Sequence, residues 1–154
     1  MLVRDFTPAD AAAFRDLNLA WVEAYFTVET EDRAQLDDPQ THILAKGGAI
    51  LVADLNGETV GTVGLVPGHG ETVLELIKMS ARSDLQGQGI GRALMDAAIE
   101  KARDMGASRI WLETNTKLAA ALALYRKSGF RELSGDELTE TPYDRCNCQM
   151  LLDL

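Results

Sequence analysis

The spacing of apolar residues along this chain switches between two periods, and each switch marks an element. "LVRDF" (2–6) reads as a short strand, apolar at positions 2 and 6. From Thr7 to Phe26 the period becomes helical, with apolar residues at 13, 14, 17, 21 and 25. Thr7 suits an N-cap, and Pro8 suits the first helical position, where no backbone N–H is needed. "EDRAQLDD" (31–38) predicts a short second helix that Pro39 ends. "AILVADL" (49–55) and "NGETVGTVGLV" (56–66) are β-rich runs around Asn56-Gly57, a pair that accepts the positive φ angles of a tight hairpin turn. "ETVLELIKMSA" (71–81) adds a further strand.

In the second half, "IGRALMDAAIEKARDMG" (90–106) is strongly amphipathic. Ile90, Leu94, Ala98, Ala102 and Met105 form its apolar stripe; Arg92, Asp96, Glu100 and Arg103 face away, and Gly106 is placed to end it. "SRIWLET" (108–114) is a strand, and "KLAAALALYRKSG" (117–129) a short helix stopped by Gly129. "FREL" (130–133) and "RCNCQMLLDL" (145–154) predict two closing strands. A strand–helix–strand unit requires a parallel crossover, whereas the hairpin requires antiparallel neighbours. The expected fold is a mixed α/β sheet with helices on both faces. No linker or repeat divides the chain, so 1–154 is expected to be a single domain.

Charge narrows the function. The formal net charge of -9 argues against nucleic-acid binding through a basic surface. No apolar run reaches membrane-spanning length, and "MLVRDFTPAD" lacks a signal pattern, which predicts a cytoplasmic protein that does not engage a membrane. Cys146 and Cys148 read as reduced packing residues on one face of the last strand. His42 and His69 have no companion ligands and read as turn or surface residues, so no metal is expected.

The candidate chemistry lies in "DLQGQGIGRAL" (84–94). Alternating glycines at 87, 89 and 91 open the amphipathic helix. A helix N-terminus offers unpaired N–H groups and partial positive charge, so a phosphate or pyrophosphate is the natural guest. A P-loop requires Lys-Ser or Lys-Thr after its glycines, and none follows. The dinucleotide pattern G-x-G-x-x-G fails in both registers, because Arg92 and Leu94 stand where the third glycine belongs.

What fits is Q-x-x-G-x-G, here Gln86-Gly87-Gln88-Gly89-Ile90-Gly91, followed by Arg92-Ala93. With "ELIKMSA" (75–81) before it and "NTKLAAALALYRKSGF" (115–130) after it, the chain resembles the GNAT superfamily of acyl-CoA-dependent N-acetyltransferases. The resemblance covers most of the chain and is strongest from Glu75 to Phe130. It implies a mixed, mostly antiparallel sheet of about seven strands, whose central parallel pair splays apart around the pantetheine arm of acetyl-CoA. It assigns backbone groups of Met79 and Ala81 to that arm, and the turn from Gln86 through Gly87, Gln88, Gly89, Ile90 and Gly91 to Arg92 to the pyrophosphate. Asn115 is assigned to the cofactor arm, and Tyr125 to the cofactor sulfur. The segment "SARSDLQG" lacks the hydrophobic residue and proline common before this motif, which predicts a looser turn.

Acetyl transfer to an amine needs a proton acceptor, a donor for the developing oxyanion and a proton donor for the departing thiolate. Tyr125 can protonate the thiolate; its alternative is a core aromatic on the stripe with Leu118 and Leu122. Glu75, a carboxylate inside the apolar run "VLELIKM", is a candidate base; its alternative is an exposed glutamate paired with Lys78. Glu113 is a lesser candidate. The acceptor, a primary amine of a small molecule or peptide, would meet Trp21, Tyr25, Phe26 and the "ELTETPYDRCN" segment (137–147). Glu29, Glu31 and Asp32 would suit a cationic acceptor, and Arg145 a carboxylate. A non-catalytic acyl-CoA-binding sensor and, more remotely, a nicotinamide or flavin oxidoreductase remain as alternatives. Homodimers are common among similar proteins, but no element here requires one.

Overall fold

The computed structural model describes residues 1–154. The hairpin forms where Asn56-Gly57 predicts it. Both residues have positive φ (54° and 84°), and the Gly57 N–H donates to Asp54 Oδ1 at 2.9 Å. This turn joins β2 (Ala49–Leu55) to β3 (Glu58–Pro67). With β1 (Leu2–Asp5), β4 (Val73–Ala81), β5 (Arg109–Thr114), β6 (Arg131–Glu132) and β7 (Cys148–Asp153) they make one seven-stranded sheet, ordered β1-β2-β3-β4-β5-β7-β6. Every neighbouring pair is antiparallel except β4 and β5.

Strand alternation gives each face its own helices. Ile50, Val52 and Ile77 pack with Phe14 of α1 (Ala11–Tyr25) and Leu36 of α2 (Thr30–Asp37). Leu51, Ala53 and Leu76 face the larger core, with Leu94 and Ala98 of α3 (Ile90–Asp104) and Leu122 of α4 (Ala119–Lys127). The predicted stripe of α3 is buried at Ile90, Leu94, Ala98 and Ala102, and Met95 joins it. Gly106 takes φ +83° just past the end of α3, and Gly129 takes φ +102° just past α4.

Two details of β4 position the site. Its parallel pairing with β5 stops after Val73↔Arg109, Leu74↔Ile110 and Glu75↔Trp111, although both strands continue. Beyond Glu75 the two strands diverge into a fork. A bulge also interrupts the β3–β4 register between Gly64↔Ile77 and Thr62↔Ser80. Lys78, in this bulge, has φ +50°, which a non-glycine residue adopts only when its surroundings impose it. The imposing contacts form a buried polar chain. Trp21 Nε1 donates to Asn18 Oδ1 (3.1 Å), Asn18 Nδ2 to Thr62 Oγ1 (3.0 Å), and Thr62 Oγ1 to the Lys78 carbonyl (2.9 Å).

Three expectations change in detail. The buried face of α1 is Phe14, Asn18 and Val22, and the predicted stripe residues Trp21 and Tyr25 instead line a cavity. The first turn, Pro8–Asp10, is a 3-10 turn ahead of α1, with Asp10 Oδ2 accepting the Thr7 N–H at 2.8 Å. The last strand begins at Cys148, so Cys146 lies in the preceding loop and the cysteines do not share a strand face. In that loop the Asn147 Oδ1 accepts the Thr116 N–H at 3.0 Å.

Candidate active site

A cavity of about 760 Å³ follows the fork, from the glycine turn at one end to Tyr143 and Arg145 at the other. At the first end Gly87 and Gly89 take left-handed φ angles of +82° and +79°. An added Cβ at either would meet no protein atom within 4 Å, so the inner side of the turn is open to a ligand. Gly89 is the N-cap of α3, and no side chain caps that helix. Gly91 does a different job from its two neighbours. It lies inside α3, where an added Cβ would come 3.3 Å from Leu124 Cδ2, so its lack of a side chain lets α3 and α4 approach. Gln86, Ile90 and Arg92 line the cavity, whereas Gln88 points to solvent outside it. The segment without the hydrophobic-proline pair is a 3-10 turn, Ser83–Leu85. Arg82 braces it through Asp84 (2.8 and 2.9 Å) and Glu58 (2.8 Å).

Along the fork, the backbone of β4 is directed by alternation. The Arg82 N–H bonds to the Val60 carbonyl at 2.8 Å, so even positions here face β3. The N–H and C=O groups of Met79 and Ala81 therefore point into the fork, where no strand pairs with them. Tyr125 projects from α4 to the cavity wall. It is 7% exposed, and burial pushes its pKa up to about 12, so the phenol stays protonated at neutral pH. Asn115 also lines the cavity, but its side chain is engaged within the protein: Nδ2 donates to the Arg145 carbonyl (2.6 Å) and Oδ1 accepts the Lys117 N–H (2.8 Å).

Glu75 stands at the vertex of the fork, on the α1–α2 side of the sheet. It is not paired with Lys78; it meets His69 at 2.7 Å instead. His69 is half-buried rather than a free surface residue, and its ring stacks on Trp111 at 3.8 Å. Nearby, Glu113 Oε1 accepts from Thr141 Oγ1 at 2.7 Å, and its buried Oε2 has no partner. Burial raises the Glu113 pKa, opposed by the Thr141 bond and reinforced by the charge of Glu75. Burial also pushes the Cys146 thiol up to about 12, so it is no thiolate nucleophile at neutral pH.

The Tyr143–Arg145 end of the cavity contains a buried charge cluster that sequence reasoning missed. The bulge turns Lys78 onto the same face as Ile77, where Nζ meets Asp32 Oδ1 at 2.7 Å. Arg145 grips both oxygens of Asp32, at 2.6 and 2.7 Å, and lies 4.3 Å from the Tyr143 ring centroid and 5.6 Å from that of Trp21. Asp32 is fully buried and committed to these cations, so it is not free to attract a cationic acceptor as its sequence position suggested. A lysine inside an apolar run was the available signal, as odd there as Glu75.

Comparison with known proteins agrees with this geometry. The sequence profile of the acetyltransferase (GNAT) family matches residues 12–130. YjgM of Escherichia coli K12, an N-acetyltransferase whose own activity is uncharacterised, is 36% identical over 110 residues, covering 70% of this chain and 65% of that protein. Human N-acetyltransferase 8 is 32% identical over 62% of this chain and 44% of its own length, so this chain spans about half the length of such relatives. Among solved structures, a GNAT acetyltransferase of Staphylococcus aureus Mu50 superposes with a TM-score of 0.88 at 22% identity, covering 99% of this chain and 98% of that one. The ribosomal-protein-alanine N-acetyltransferase of Brucella melitensis gives 0.77 at 26% identity, with full coverage of both chains. The Salmonella typhimurium protein yncA, solved with its cofactor acetyl-CoA, gives 0.73 at 22%, covering 99% of this chain and 93% of that one.

Proposed function

This chain belongs to the GNAT acetyltransferase family, and from that premise we propose that it transfers an acetyl group from acetyl-CoA to a primary amine of a small molecule or peptide, by direct attack in a ternary complex. The observation that carries this reading is the β4–β5 fork, with a carboxylate at its vertex and a protonated phenol on its wall. The fork fits coenzyme A in chemistry as well as shape. Unpaired backbone groups of Met79 and Ala81 offer an extended amide chain a strand-like partner. Gly87 and Gly89 leave room at the N-terminus of α3 for a pyrophosphate. Acetyl-CoA, when bound, supplies the activated thioester.

The residues of the chain supply the rest. An alkylammonium, with a pKa near 10, must lose a proton before it can attack, and in this reading Glu75 takes it. A backbone N–H of β4 facing the fork stabilises the charge that develops on the carbonyl oxygen. Tyr125 gives its proton to the departing thiolate and is reprotonated by the second N–H proton that the nitrogen loses as the amide forms.

The test is acetyl transfer, followed as thiol release, across amino acids, polyamines, aminoglycosides and peptide N-termini. Peptides are included because the Brucella neighbour is a ribosomal-protein-alanine N-acetyltransferase. Tight acetyl-CoA binding without thiol release on the whole panel would make the chain a sensor rather than an enzyme. Tyr125→Phe is expected to lower kcat about 10- to 100-fold. That is the low side of general-acid effects, because a thiolate is already a tolerable leaving group. Acetyl-CoA affinity should stay within about twofold by calorimetry, and an unchanged kcat would remove Tyr125 from the chemistry.

A further inference from the structure

We propose that His69 is the proton exit for Glu75, carrying the proton taken from the acceptor amine out of the fork to a second cavity. The inference rests on the acetyl-transfer reading and follows from its proton balance. An ammonium acceptor gives up two protons on becoming an amide. One ends on the coenzyme A thiol; the other must leave the site before the next turnover. Glu75 lines the first cavity, is 18% exposed and sits at the vertex of the fork, so on the acetyl-transfer reading bound substrates would cover its direct route to solvent.

A built route leads elsewhere. Glu75 Oε1 lies 2.7 Å from His69 Nε2, a distance short enough for direct proton transfer. The imidazole is held in this orientation by stacking on Trp111, with 3.8 Å between centroids and 22° between planes. Trp111 is in turn the residue opposite Glu75 in the last pair before the fork, so one register fixes acid and stacking platform together. His69 and Trp111 also line a second cavity, of about 490 Å³, which Glu75 does not reach. The ring therefore stands between the two cavities. Glu75 and Glu113 flank it on the fork side, and Arg109, Arg131, Glu137 and Glu140 lie around the second cavity.

The step balances without a further reactant. The ammonium N–H bond breaks and the proton forms an O–H bond on Glu75. It crosses to His69 Nε2, making the imidazolium. The ring then sheds one proton to water in the second cavity. Glu75 ends as carboxylate and His69 as neutral imidazole. His69 touches neither substrate in this scheme; it acts through Glu75.

The test measures kcat and KM on wild type, Glu75→Gln, His69→Ala and His69→Gln, with imidazole or pyrazole in the medium. His69→Ala is expected to lower kcat about 10- to 100-fold with little change in the acetyl-CoA KM. Imidazole should restore most of that loss. Pyrazole, a ring of the same shape but too weakly basic to take the proton, should not. His69→Gln, which keeps a hydrogen bond to Glu75 but relays no proton, should be as slow as His69→Ala. Equal rescue by both rings, a fully active His69→Gln, or an unaffected His69→Ala alongside a disabled Glu75→Gln would overturn the relay and leave acetyl transfer standing. An active Glu75→Gln, or absence of wild-type turnover on the amine panel, would overturn the relay at its premise.

Discussion

Gly89→Asp is expected to cost this protein at least about 100-fold in acetyl-CoA affinity, equivalent to about 2.7 kcal/mol. The expectation combines three observations. Gly89 is the N-cap of α3, its φ is +79°, and the volume a Cβ would occupy contains no protein atom. A carboxylate there stands at the partial positive end of the helix, in the place proposed for the pyrophosphate, and repels what the turn would attract. Backbone strain alone is the smaller effect, roughly 1–2 kcal/mol against folding, and aspartate tolerates the left-handed region better than most residues. Gly89→Ala separates the two contributions: it imposes comparable strain without charge and should lose far less affinity. Titration calorimetry on both variants, with melting curves to show that each is folded, decides the matter. Retained affinity in Gly89→Asp would refute the cradle.

Removing Asp32 is expected to have the largest effect on stability. Asp32→Ala should cost about 3–5 kcal/mol, because it strands two cations, Lys78 and Arg145, in a buried site. That is a large share of the roughly 5–15 kcal/mol that keeps a domain folded. Asp32→Ala combined with Lys78→Met should recover part of the loss, since a buried apolar side chain costs less than an unpaired ammonium; chemical denaturation measures both. Acid should reproduce the effect in the native protein. Burial pulls the Asp32 pKa up, but Arg145 and Lys78 outweigh it and hold the carboxyl at about 2, below its ordinary 3.8. The stabilisation this represents is fully present above pH 4 and disappears as the pH falls through 2. A denaturation midpoint that is flat from pH 5 to pH 2 would show that Asp32 does not hold its partners as described.

The architecture was readable because its signals are local. Asn56-Gly57 fixes the hairpin register, Gly106 and Gly129 stop their helices, and the 3.6-residue stripe of α3 names its own buried face. Glu75 stood out for a similar reason, as a charge inside an apolar run. What escaped was long-range. Asp32 meets Lys78 across 46 residues and Arg145 across 113, and no periodicity encodes such a pairing. His69 could not be told from a surface residue until β5 brought Trp111 beneath it. The bulge was the hidden step: a strict alternation would send Lys78 to the α3 face, away from Asp32. The glycine triplet was read as one device, yet its three members divide between leaving ligand space and permitting helix contact, which depends on where α4 lies.

The three-pair ladder between β4 and β5 has a mechanical consequence. It makes the sheet two panels, a four-stranded one and a three-stranded one, sewn together at one end only. The free ends are two edges facing one another inside the molecule, where another chain cannot reach them as it could an outer edge. A molecule lying between those edges and bonding to them acts as a splint across the seam. The melting temperature should then climb with the logarithm of coenzyme A concentration. Amide exchange should slow at Met79 and Ala81, on the seam, before it slows in β1 or β2.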